Sequence, residues 1–193
     1  DVKNIPAEKL LAALEQDPLL EGNINLNVQL NSRGNSQRSL VANLNGNSTY
    51  DVTNGKITMV NVDQYLCTAI SLLNRKSMTT GFTSHTTPFT RLGGQLTIRD
   101  GVLHNSDTQV SIPGLRIKGK GDVNLNLMGL DYVVGITLLG DTREMSDPAC
   151  AINERYVGLE IPFRCRGPLM NGKPSCSIDE EGFGKIAARL AGN

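Results

Sequence analysis

Between Asn23 and Asn31 every second residue is aliphatic: Ile24, Leu26, Val28 and Leu30 alternate with Asn23, Asn25, Asn27, Gln29 and Asn31. Successive strand side chains point to opposite faces, so this alternation demands a strand with one apolar and one polar side. A chain built from such strands must form a sheet, and the sheet's apolar face must be covered.

The alternation recurs along the chain. Ser32 to Ser36, with Gly34 central, reads as a turn. Leu40, Ala42 and Leu44 then predict a second strand, which Gly46 interrupts and Tyr50 and Val52 resume. Asn54-Gly55 predicts a hairpin turn, followed by Ile57 and Met59. Later come Leu92, Leu96 and Ile98, a hairpin signal at Arg99-Asp100-Gly101, and Val102, Val110 and Ile112. Pro113-Gly114 breaks the run before Leu115 and Ile117. Gly119-Lys120-Gly121 reads as a strand-end turn before Val123, Leu125 and Leu127. Tyr132 to Leu138 and Val157 to Phe163 close the series. Turn signals about every ten residues mark antiparallel structure rather than βαβ units.

Three segments switch to helical spacing. Ala7, Leu10, Leu11 and Leu14 follow Pro6, and Val62, Leu66, Ala69, Ile70 and Leu73 share one face after Asn61 or Asp63. Phe183, Ile186, Ala187 and Leu190 follow Ser177-Ile178-Asp179-Glu180, a capping-box pattern. Thr79 to Thr87 reads as an exposed loop. The expectation is a mainly β, β-rich α+β fold: a long, curved, mostly antiparallel sheet, covered in part by three short helices, in a single domain over residues 1–193. Whatever the helices leave uncovered is an apolar trough; a sheet fully closed by them is the alternative.

Composition narrows function. Formal net charge is zero, tryptophan is absent and aromatics are 4% of the chain, which argues against nucleic-acid binding. Four cysteines, Cys67, Cys150, Cys165 and Cys176, form no C-x-x-C pair and, with His85 and His104, supply no zinc spacing. An even count at wide spacing suits two disulfides in an oxidising compartment, four buried thiols being the other reading. Of three possible pairings, Cys165–Cys176 is favoured because Gly167, Pro168, Gly172 and Pro174 turn the chain between them. Cys67–Cys150 follows by elimination. Nucleophile elbows, P-loops and H-E-x-x-H helices are missing, and no metal, cofactor or catalytic residue is expected. His104 reads as a surface turn residue rather than a base. Arg116, Lys118 and Lys120 share a strand face and read as a solvated row or a contact for lipid headgroups.

Two stretches carry a family resemblance: Phe89-Thr90-Arg91-Leu92-Gly93-Gly94-Gln95-Leu96-Thr97-Ile98-Arg99-Asp100-Gly101, and Leu115-Arg116-Ile117-Lys118-Gly119-Lys120-Gly121-Asp122-Val123. With Val52-Thr53-Asn54-Gly55-Lys56-Ile57 and Ile161-Pro162-Phe163-Arg164-Cys165-Arg166-Gly167-Pro168, they resemble the C-terminal domain of the AsmA family from about Gly22 to Pro168. The resemblance implies a fragment of a periplasmic protein attached to the bacterial inner membrane by an N-terminal helix that this chain lacks. It implies a taco-shaped sheet around an apolar groove, no catalytic residues, and a part in outer-membrane assembly and phospholipid transport or homeostasis. On that reading Ile24, Leu26, Val28, Leu30, Leu96, Ile98, Ile117, Val123 and Leu125 contact the acyl chains of a phospholipid or similar ligand. The alternative is a structural module meeting an envelope assembly partner through a sheet edge, without lipid.

Overall fold

A computed structural model describes residues 1–13, 20–58, 60–140, 143–168 and 174–192. Leu14, Met59 and Gly172 lie outside the described residues. Among the described residues nine strands form one open antiparallel sheet in strict chain order. They are β1 (Val2–Pro6), β2 (Leu20–Asn31), β3 (Asn45–Thr58), β4 (Thr86–Arg99), β5 (Val102–Ile112), β6 (Leu115–Asn124), β7 (Gly129–Leu138), β8 (Glu160–Pro168) and β9 (Ser175–Ile178). Four helices accompany them among the described residues: α1 (Ala7–Ala13), α2 (Gln37–Ala42), α3 (Val62–Asn74) and α4 (Glu180–Ala191). Short 3-10 turns at Pro148–Cys150 and Glu154–Tyr156 lie between β7 and β8. Among the described residues no helix is long and apolar enough to cross a membrane.

The register explains why the alternation builds a core. Ile5, Ile24, Val52, Leu92, Val110, Ile117, Ile136 and Ile161 are successive cross-strand partners from β1 to β8. One aliphatic row thus crosses eight strands on one face. Helix α3 packs over it, and its Leu66, Ala69 and Ile70 are wholly buried with Val52, Leu138 and Ile161. Each such Leu or Ile contributes about 1.5–3 kcal/mol on burial.

Helix α3 is fixed at both ends. Asn61 caps it by accepting from the Gln64 amide, and Arg75 closes it in the left-handed conformation. Near the start Asp63 pairs with Arg143 at 2.7 Å. At the far end Asn74 donates to the carbonyls of Ala149 and Ala151 and accepts from the Tyr156 hydroxyl. Cys67 is disulfide-bonded to Cys150, and Cys165 to Cys176, the two pairings expected. Asp147, 1% exposed, accepts from the amides of Ala149, Thr79 and Thr80. Those donors, the Ala149 and Thr80 amides foremost, hold its carboxyl well below the usual carboxylate range. Thr79 and Thr80 are therefore exposed but tethered, and Thr86 and Thr87 already belong to β4.

Several local expectations are corrected. The strand expected at Leu40–Leu44 is replaced by α2, because Ser36 and Ser39 cap each other reciprocally and start a helix. Asn54-Gly55 is not a hairpin. Both flanks stay paired to β2 and β4, and the left-handed Asn54 makes a bulge opposite Gly22, with the Phe89 ring packed where a Gly55 side chain would stand. The Asp100-Gly101 hairpin is present, both residues having positive φ. Gly119 and Gly121 lie inside β6 rather than at a strand-end turn, and the strand ends at Asn124 so that Leu125 and Leu127 fall in the β6–β7 turn. Helix α4 is capped by Asp179, which accepts from the Gly182 amide, while Ser177 belongs to β9. His104 sits within β5, exposed, with Nδ1 2.7 Å from Asp122.

Candidate functional site: an apolar trough on the sheet

Beyond the row under α3 comes one through Leu26, Tyr50 and Gly94, and past that lie two further rows of the same face. Val28, Ser48, Leu96, Asn105, Gly121, Tyr132, Cys165 and Cys176 are successive partners from β2 to β9. Next to it run Leu30, Gly46, Ile98, Leu103, Val123 and Leu130. The first of these two rows is low, because serine, asparagine and glycine occupy its middle. Aliphatic residues stand on both sides of it. The result is a trough of about 340 Å³ crossing β2 to β7, lined by Leu20, Ile24, Leu26, Tyr50, Val52, Leu92, Leu96, Leu103, Asn105, Gly121, Val123 and Tyr132.

Asn105 is the polar residue in the floor, and a bulge explains how it is satisfied. Strand β5 carries one residue more than its neighbours between Asn105 and Thr108, so both turn to the apolar face. Thr108 donates amide and hydroxyl protons to Asn105 Oδ1, at 3.2 and 2.7 Å, and Asn105 donates to the Gln95 carbonyl at 2.7 Å. Tyr50 reaches in from β3, its hydroxyl 2.5 Å from Thr108 Oγ1. Tyr132 reaches in from β7, its hydroxyl 2.6 Å from Asn105 Oδ1 and 2.7 Å from Thr108 Oγ1. The two rings thus lie across the sheet and meet over its middle strand. Glycine makes this possible: a side chain at Gly94 would strike Tyr50, and one at Gly119 or Gly121 would strike Tyr132. Burial pushes the Tyr132 phenol up to about 12 and that of Tyr50 in the same direction. Both hydroxyls therefore stay neutral at physiological pH, and the trough carries no charge.

Of the residues expected at the apolar face, Ile24, Leu26, Leu96 and Val123 line the trough. Val28 and Leu30 lie on the same face at its β2 rim, both exposed. Ile98 is buried in the adjoining row. Ile117 is core beneath α3, and Leu125 is outside the strand. The residues of the site not singled out from the sequence are Tyr50, Asn105, Thr108 and Tyr132, although both tyrosines stand in the alternating pattern. The visible signal was two glycine pairs, Gly93-Gly94 and Gly119 with Gly121, inside alternating segments. Arg116, Lys118 and Lys120 point to the opposite, polar face and are exposed, so they do not meet the trough. No cluster of histidine, cysteine, aspartate or glutamate that could hold a metal occurs among the described residues.

An open antiparallel meander with one apolar face, partly lidded and partly bare, defines a sheet built around a surface groove. The AsmA family's sequence model matches residues 1–108, more than half of the chain, and the chain belongs to the AsmA family. The matched part spans β1 to β4 and the first half of β5; the resembling stretches after Leu115 lie beyond it. The searches of curated proteins and of solved structures returned no match. The family is associated with the bacterial envelope, and membership points to a role in outer-membrane assembly or lipid handling. The two disulfides fit a periplasmic domain.

Proposed function

We propose that this chain is a non-catalytic periplasmic module of an inner-membrane-attached protein, and that it binds acyl chains of phospholipid in the trough during outer-membrane assembly and lipid transport. The observation that carries the reading is the trough itself: an uncovered apolar hollow whose single polar cluster is fully hydrogen-bonded internally. A buried methylene contributes about 0.8 kcal/mol, so such a surface holds an acyl chain without any specific polar contact. Docking of a partner strand is less favoured, because both edges are blunt. Strand β1 carries left-handed Asn4 and Pro6, and β9 has four residues.

The test is lipid extraction and native mass spectrometry of the purified chain, with an exchangeable fluorescent fatty acid as probe. Phospholipid should co-purify, and Leu26→Asp or Val123→Asp should abolish probe binding while leaving the circular dichroism spectrum unchanged. Absence of both lipid and probe binding would falsify the reading. Unfolding by either substitution would reassign that residue to the core.

A further inference from the structure

The trough has two unlike ends. At β2 its low row runs out onto Val28, 37% exposed. At β7 it stops at Tyr132. Past Tyr132 the same row enters Cys165, 9% exposed and bonded to Cys176. The neighbouring Phe163 is 3% exposed, edge-on to Tyr65 of α3 at 5.8 Å. The β8 side is therefore sealed. Tyr132 itself is held by its two hydroxyl contacts and by the glycines beneath its ring.

We infer that the trough is a blind site for one acyl chain, which lies across the strands with its methyl end against Tyr132 and its head group outside Val28, so that the Tyr132 ring sets the longest chain the site covers. The inference rests on the acyl-binding reading above. Its dimensions agree. The Tyr132 ring lies over β6 and its hydroxyl meets Asn105 and Thr108 of β5, so the open run from β2 to β5 is about three strand spacings, or about 14 Å. Acyl chains filling one leaflet of a bilayer extend about 15 Å, half of its hydrocarbon thickness. One chain therefore fits and two end to end do not. A hollow of about 340 Å³ is near the lower end of small-molecule sites, which suits one chain and not a pair side by side. Tyr132 and the buried β8 side bar onward passage, so this part of the sheet receives or delivers lipid and does not pass it on across β8.

The test uses the chain as it stands and saturated straight-chain fatty acids, from well below to well beyond the trough's length, displacing a fluorescent fatty acid. Affinity should rise about fourfold per added methylene, then level off once the chain reaches Tyr132, at one acid per protein. Tyr132→Ala should move the plateau to longer chains. Leu96→Phe, which fills part of the trough, should move it to shorter ones and keeps the test decisive if Tyr132→Ala fails to fold. Affinity that keeps rising beyond the trough's length, a plateau that Leu96→Phe leaves in place, or two acids per protein overturns the blind single-chain site alone. Failure of every acid to bind overturns the acyl-binding reading and this inference together.

Discussion

One apolar face is treated in two ways within this sheet. In the row from Ile24 to Ile161, α3 lies over the strands, and a disulfide, an ion pair and Asn74 fix it there. A few residues along the same strands, the row from Leu30 to Leu130 is just as aliphatic, yet Leu30 is 51% exposed and Leu103 and Val123 are half-buried. Hydrophobicity does not distinguish the two regions. What differs is the lid above and the size of the residues between: Ser48, Asn105 and Gly121 leave a hollow that Val52, Val110 and Ile117 do not.

The comparison can be broken most directly by freeing the lid. Replacing Cys67 and Cys150 with alanine removes a cross-link of sequence separation 83 and should cost about 4.5 kcal/mol by the loop-entropy relation. Replacing Cys165 and Cys176, separated by 11, should cost about 2.8 kcal/mol. Urea unfolding of the two variants measures both, and equal losses would remove the case that the lidded region depends more on its staple. Leu66→Ala should cost an amount of the same order as either. Leu66 is wholly buried, so about 2–5 kcal/mol should be lost.

Acid and alkali should loosen the two regions separately. Asp147, beside the lid's anchor, has its carboxyl lowered below the unfolded value near 3.9. The unfolded chain then takes up the proton first, so this stabilisation is complete above about pH 4 and fades as pH falls below it. Asp147→Asn should flatten that acid limb. Tyr132 shifts the other way, up to about 12, whereas an unfolded tyrosine ionises near 10. Above about pH 10 the unfolded chain binds fewer protons, so stability falls as pH rises towards 12. Tyr132→Phe should remove much of that slope, and hydrogen exchange against pH would place each loss on its own half of the sheet. The smallest effect belongs to the rim: Leu30→Ala should change stability by less than about 0.5 kcal/mol in the same urea titration. A larger loss would mean the open row is covered in solution.

Much of this architecture is legible in the alternation. Strands β2, β4 and β7 and helix α3 follow from spacing alone, and the turn residues between Cys165 and Cys176 point to that disulfide and leave its partner by subtraction. Helix α2 was hidden because Leu40, Ala42 and Leu44 alternate by chance, and the serine pair that caps it carries no apolar signal. Asn54-Gly55 offers the positive φ that a hairpin needs, and a bulge uses the same property. The trough was only half legible. Its aliphatic walls are in the pattern, but its floor depends on which residue of each strand lands in one row. That register rests on the extra residue in β5, which no periodicity announces.

The strict chain order of the nine strands governs how such a protein changes length. Each strand pairs only with its neighbours in sequence, so a hairpin inserted at an exposed turn joins the sheet without rerouting any other segment. It widens the apolar face by two strand spacings, about 10 Å. The span of a surface of this kind is therefore a matter of counting hairpins, and a duplication that adds one lengthens it in a single step.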